Sequence, residues 1–134
     1  MKNKKGFTLV EIMIVVAIIA LLAAIAIPNL LRAKISANDA LAKGKLRTLS
    51  TASETFATTN SGNYPGDLTS LTGATPPFLA DTSCTANTTP ATSISGYYYT
   101  CSFTPGGYTF VATPVTVGTS GTAVWTMTTG GVLQ

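Results

Sequence analysis

The chain has no histidine, a single tryptophan and only two cysteines among 134 residues. Without histidine, the side chain most often used as a general base and as a metal ligand is missing. Two cysteines with no histidine do not make a zinc ligand set. Charge is scarce too, with Lys, Arg, Asp and Glu together at 10%. All eight Lys and Arg lie at or before Arg47, and from Thr48 onward the only charged residues are Glu54, Asp67 and Asp81. A C-terminal part without a single cation is a poor match for a phosphate backbone, so no nucleic-acid partner is expected. Its three carboxylates are widely spaced, unlike a catalytic pair or a metal cluster. A calcium site using Asp67 and Asp81 would have to draw most of its oxygens from backbone carbonyls. No catalytic residue, no metal site and no cofactor are expected, and the chain is not read as an enzyme.

What the chain has in excess is one apolar run. Residues 12–27 are sixteen apolar residues without a break, and from Phe7 to Ile27 only Thr8 and Glu11 are polar. As a helix rising about 1.5 Å per residue, these 21 residues reach across a hydrocarbon core of roughly 30 Å. Lys2, Lys4 and Lys5 precede the run. That order places the N-terminus in the cytoplasm and the remainder outside. An ordinary signal peptide or a plain anchor shares the basic-then-apolar order. Neither explains the details: Ala24-Ile25-Ala26 is a weak signal-peptidase site followed by Ile27-Pro28, and an anchor needs neither Gly6 nor Glu11.

Glu11 is the anomalous residue. A carboxylate at membrane depth costs up to about 3 kcal/mol, so it calls for a partner and marks a functional position. If the chain were cut between Gly6 and Phe7, the new α-amino group would lie one helical turn before Glu11. An axially shifted second copy could bring its own amino group to the same carboxylate.

Lys5-Gly6-Phe7-Thr8-Leu9-Val10-Glu11, together with the apolar run ending at Ile27-Pro28, resembles the N-terminus of type IV pilins and type II secretion pseudopilins. The resemblance is specific over residues 4–31, weaker along the helix that follows, and only architectural after Asn60. It implies a prepilin with a class III leader, cleaved between Gly6 and Phe7 by a prepilin peptidase and N-methylated on Phe7. It implies that Glu11 sets assembly register and that Pro28 is the helix-kinking proline. The implied partners are further copies of the chain in a helical filament, inner-membrane lipid before assembly, and an inner-membrane assembly platform with its ATPase. The implied location is a single-pass inner-membrane precursor, then an extracellular pilus or a periplasmic pseudopilus. A major pilin, a pseudopilin, and a minor pilin or adhesin with a ligand-binding head all remain open at this point.

Four segments follow: a leader (1–6), a transmembrane and filament-core half-helix (7–27), an amphipathic half-helix (28–59) and a head (60–134). Pro28 deletes one helical hydrogen bond and predicts a kink there. Beyond it, Leu31, Ile35, Leu41/Ala42, Leu46, Leu49, Ala52 and Phe56 recur at mostly three- or four-residue steps, with a five-residue step near Gly44. One kinked helix over about residues 7–59 is predicted. Ala17, Ala20, Ala23 and Ala24 either let neighbouring helices approach closely or are ordinary membrane filler.

Asn60 to Gly66 carries the turn residues that stop the helix, and a short helical turn over 67–71 is expected, capped by Asp67 or its predecessor. Residues 72–95 read as loop. Strands are expected over 96–103, 108–113 and 122–128, with a short final one at 132–133. Tyr97, Tyr99, Cys101 and Phe103 share one face of the first, and Tyr108, Phe110 and Ala112 one face of the second. The fold class is therefore α+β: a long kinked N-terminal helix packed on a small C-terminal antiparallel sheet. Ser and Thr make up 31 of the 85 residues from Ser50 onward, a polar but nearly uncharged surface. Cys84 and Cys101, in a segment expected outside the inner membrane, favour a disulfide over two free thiols.

Overall fold

The computed structural model describes residues 6–80, 84 and 93–134. It contains α1 (Leu9–Thr59), α2 (Leu68–Thr72), β1 (Tyr97–Thr104), β2 (Gly107–Pro114), β3 (Trp125–Thr128) and β4 (Val132–Leu133). The chain divides into two compact units, Met1–Ala33 and Lys34–Gln134.

The described part of the first unit is helix preceded by three non-helical residues, 6–8. The helix starts at Leu9, two residues later than the apolar run suggests, because Thr8 takes the capping position described below. It continues across Pro28. Its large apolar side chains are exposed all round within the single chain; Ile14, Ile18, Leu21 and Ile25 are each more than half exposed.

In the second unit the rest of α1 lies on a four-stranded antiparallel sheet of order β1-β2-β3-β4. β1 and β2 form a hairpin closed by Pro105-Gly106, with Thr104 opposite Gly107, Cys101 opposite Phe110 and Tyr97 opposite Pro114. β3 returns to β4 through Gly130 and Gly131, both at positive φ (83° and 74°), a backbone region open to glycine at little cost. The alternation expected along β1 and β2 holds. Tyr97, Tyr99 and Cys101 are buried, as are Tyr108, Phe110 and Ala112, and Phe103 is half-buried at the strand end. Tyr108 stacks on Phe110 with ring centroids 4.6 Å apart, and Phe103 meets Phe110 edge-on at 5.5 Å. Ala42, Leu46 and Leu49 of α1, Leu71 of α2, and Met127 of β3 complete the centre of the core.

Two details depart from the sequence pattern. Leu31 and Leu41 are exposed, while the buried stripe of α1 runs Asp39, Ala42, Leu46, Leu49 with Ser50, Ser53 and Ala57. Ala42 to Leu46 is an ordinary four-residue step, so the irregularity near Gly44 disappears once Ala42 rather than Leu41 is placed inward. β3 begins at Trp125 rather than at 122, because Thr122 directs its backbone N–H and its hydroxyl to the Asp39 carboxylate of α1 instead of to a strand. The neighbouring Gly121 is obligatory for another reason, since a Cβ there would overlap the Tyr97 ring.

α2 is capped by Asp67, whose Oδ1 accepts from the Ser70 N–H at 2.8 Å. Cys84 and Cys101 are joined in a disulfide, both buried, with Cα atoms 5.8 Å apart. The bridge ties the chain ahead of β1 to its middle across a separation of 17 residues. A loop of that size is worth about 3 kcal/mol in the chain-entropy description. Replacing both cysteines by alanine is expected to lower the stability of the second unit by about that amount, measured on the full chain in detergent as a fall in the denaturant midpoint with a somewhat steeper slope, because the denatured chain is no longer cross-linked.

Candidate assembly site

Thr8 stands at the N-cap of α1 and Glu11 three residues on. The Glu11 N–H donates to Thr8 Oγ1 at 3.2 Å, while the Thr8 N–H and hydroxyl donate to Glu11 Oε2 at 2.8 and 2.7 Å. This is a reciprocal capping box, in which two otherwise unpaired helix donors are satisfied by the two side chains. A carboxylate at this end also complements the positive pole of the helix. In the single chain, then, Glu11 is not without a partner: Thr8 holds it. That partner is local rather than a cation, and Thr8-Leu9-Val10-Glu11 is itself the capping-box pattern.

Gly6 and Phe7 lie before the start of the helix, and Phe7 is 86% exposed. The bond between them is therefore on accessible, non-helical chain. C-terminal to Glu11 the helix offers only apolar surface as far as Pro28. An 18-residue window within α1 reaches a mean hydropathy of 3.0, and by length and composition the helix can cross a membrane. Ala17, Ala20, Ala23 and Ala24 all fall within this stretch. The arrangement is a charged, hydrogen-bonded cap on an otherwise featureless apolar cylinder. Such a surface buries well against lipid or against like helices, and its single carboxylate distinguishes one axial position from the others.

Cys84 and Cys101 belong to the second unit. Asp67 is occupied as the α2 cap, where hydrogen bonds from Ser70, with a contribution from Thr69, hold its carboxyl below the ordinary aspartate value. Asp81 lies outside the described residues. Among the described residues no three acidic, cysteine or histidine side chains converge as a metal site would require. Two carboxylates that the sequence reading did not single out, Asp39 and Glu54, are drawn into hydrogen-bonded nodes between α1 and the sheet.

An exposed Gly6-Phe7 bond before a capped apolar helix, in a chain whose second unit packs helix on sheet, fits a class: proteins with an N-terminal helix able to anchor them in a membrane. Residues 1–27 match the family model described as the prokaryotic N-terminal methylation motif. The chain is similar to type IV pilins. It is 67% identical over 39 residues to the type IV wide pilus major component PilA4 of Thermus thermophilus, covering 29% of this chain and 30% of that protein. It is 52% identical over 54 residues to the type IV major pilin protein PilA of Myxococcus xanthus, 40% of this chain and 24% of that one. Against the type IV major pilin protein PilE1 of Neisseria gonorrhoeae the identity is 41% over 78 residues, 55% and 44% of the two chains. The matches span less than half the length of each of these relatives. No solved structure matches the chain.

Replacing Thr8 with alanine removes both the cap and the local partner of Glu11. Loss of an N-cap threonine costs about 1 kcal/mol. Faster amide hydrogen exchange at residues 9–11 of the full chain in micelles, with exchange in the sheet unchanged, is the expected outcome.

Proposed function

We propose that the chain is a major structural subunit of a type IV pilus-like filament, made as a prepilin, cleaved between Gly6 and Phe7, N-methylated on Phe7 and assembled through its N-terminal helix. The observation that carries this reading is Glu11: one carboxylate in an apolar helix that is exposed all round in the single chain, five residues after the Gly6-Phe7 bond. The methylation motif matched over 1–27 and the pilin relatives support it.

Before assembly, lipid covers residues 7–27. On assembly, neighbouring helices take the place of lipid, so little net apolar surface changes hands with water. Register is then a matter of charge. The Phe7 amino group, which stays cationic when methylated, fits the Glu11 carboxylate of an adjacent copy. Any other axial offset would leave a charge unpaired in an apolar core. The Thr8 bonds keep Glu11 satisfied until that exchange. Pro28, lacking one helical hydrogen bond, is a place where α1 can bend to fit the filament. The prepilin peptidase, an assembly platform and its ATPase are the partners this reading requires.

The adhesin reading would be favoured by an exposed aromatic patch at 97–99. Tyr97 and Tyr99 are buried, and only Tyr98 reaches the surface in part. A type II secretion pseudopilin shares the processing and the helix, and differs in where the assembled subunit is found.

Intact mass spectrometry of material sheared from cells tests the reading. The expected species begins at N-methylated Phe7 and is abundant in the sheared fraction. The same species confined to membranes would favour the pseudopilin, and a chain still starting at Met1 in peptidase-positive cells would overturn the proposal. Glu11→Ala is expected to preserve insertion and cleavage but to cut filament yield at least tenfold, since an unpaired buried charge costs about 3 kcal/mol or more; normal yields in a shearing assay would contradict it.

A further inference from the structure

Two carboxylates on α1 hold the sheet, and they do so in the same way. Asp39 Oδ1 accepts from the Tyr97 hydroxyl of β1 at 2.6 Å and from the Thr122 N–H at 3.0 Å, while Oδ2 accepts from the Thr122 hydroxyl. Fifteen residues along the helix, Glu54 Oε1 accepts from the Tyr108 hydroxyl of β2 and from the Gly130 N–H, each at 2.8 Å, while Oε2 accepts from the Tyr64 hydroxyl at 3.0 Å. Each node thus takes one buried tyrosine from the sheet and one backbone N–H from a loop.

The Asp39 node is the more enclosed. Asp39 is 8% exposed and Tyr97 is fully buried. Asn38 beside it donates to the Ser120 carbonyl at 2.8 Å, so two successive helix residues hold the loop joining β2 to β3. The Trp125 indole N–H donates to the Tyr97 hydroxyl at 3.3 Å, and Lys43 stacks over the Trp125 ring at 3.7 Å.

The partners of Asp39 are neutral donors. Tyr97 on β1 is the other titratable group at the node, Thr122, Ser120 and Trp125 bring no charge, and among the described residues Lys43 of α1 is the cation whose field reaches it. A carboxylate held by neutral donors responds to acid but hardly to salt, because there is no exposed ion pair to screen.

We propose that Asp39 is an acid-sensitive latch: its ionised carboxylate seats β1 and the β2–β3 loop on α1, and protonation releases that end of the head. In the pilin reading above, on which this consequence for assembly rests, the latch fixes which face of α1 the head covers and which it leaves to other copies. Burial pushes the Asp39 carboxyl up, but the bonds from Thr122 and Tyr97, with Lys43 nearby, outweigh it and hold the group below the ordinary aspartate value. The sign follows. A depressed folded-state value contributes stability that is present above the unfolded value of about 4 and is lost as pH falls through the folded one.

Trp125, the only tryptophan, sits in the node and reports on it. The experiment is an acid titration of its fluorescence in the full chain in detergent micelles. The wild-type emission is expected to shift with a midpoint below about 4 that stays in place between about 0.05 and 1 M salt. Thr122→Ala removes a hydroxyl donor without touching Trp125 and should raise the midpoint by about one pH unit. Asp39→Asn should abolish the transition. Glu54→Gln should leave it in place, being about 22 Å away along the helix. A midpoint unchanged in Thr122→Ala, or one that moves with salt, overturns the latch; so does loss of the transition in Glu54→Gln, which would mark it as global unfolding. If Asp39→Asn does not fold, Thr122→Ala decides alone. The titration reads the unassembled chain, so its outcome is separate from whether cells make filaments.

Discussion

The second unit depends on the burial of one stripe of α1, from Asp39 through Ala42, Leu46, Leu49 and Ser53 to Ala57, against a sheet too small to stand alone. Four strands of eight, eight, four and two residues need a covered face to persist in water. The helix supplies it. Aliphatic contacts at the centre of the stripe give the affinity, while Asp39 and Glu54 at its two ends give position. Apolar contacts are non-directional, so a helix could slide or roll on them. Hydrogen bonds from Tyr97, Thr122, Tyr108 and Gly130 do not permit that. The disulfide then ties Cys84 to the middle of β1.

The first unit obeys a different constraint. Between Ile12 and Ile27 its helix has no inward face, because every side is apolar and none of the described residues covers it. Such a helix needs no specific partner residue, only an apolar environment, and it gains nothing directional from that environment. Direction comes from its end. The Thr8–Glu11 cap is the same device as the nodes at Asp39 and Glu54: a carboxylate satisfied by hydroxyl and backbone donors rather than by a cation. Four of the five acidic side chains, Glu11, Asp39, Glu54 and Asp67, are engaged in this way. From Thr48 onward the chain carries few charges and many hydroxyls, and under the proposed pilin reading lateral contact between copies would meet little repulsion.

Much of this was legible from residue order. The apolar run, the helical rhythm after Pro28, the turn at Pro105-Gly106 and the alternation of Tyr97, Tyr99 and Cys101 each rest on neighbours a few positions apart, and local periodicity reports such features directly. The capping box at Thr8 was equally local and was missed only because Glu11 was read as a membrane charge first. The polar ends of the buried stripe were not legible. Asn38, Asp39, Ser50 and Glu54 look like solvent-facing helix residues until the groups that receive them are known, and apart from Tyr64, ten positions from Glu54, those lie 54 to 83 positions away. The shortened β3 has the same origin, since Thr122 spends its donors on Asp39.

By itself the order of residues determined the fold class and the apolar N-terminal helix, and it favoured a disulfide between the only two cysteines, because each follows from composition or short-range spacing. Only the tertiary structure decided which polar side chains are buried, which of Leu41 and Ala42 faces inward, and which acids carry structural weight. Those choices depend on the donors that another segment presents, and a carboxylate is stable in a buried place only where such donors are already in position.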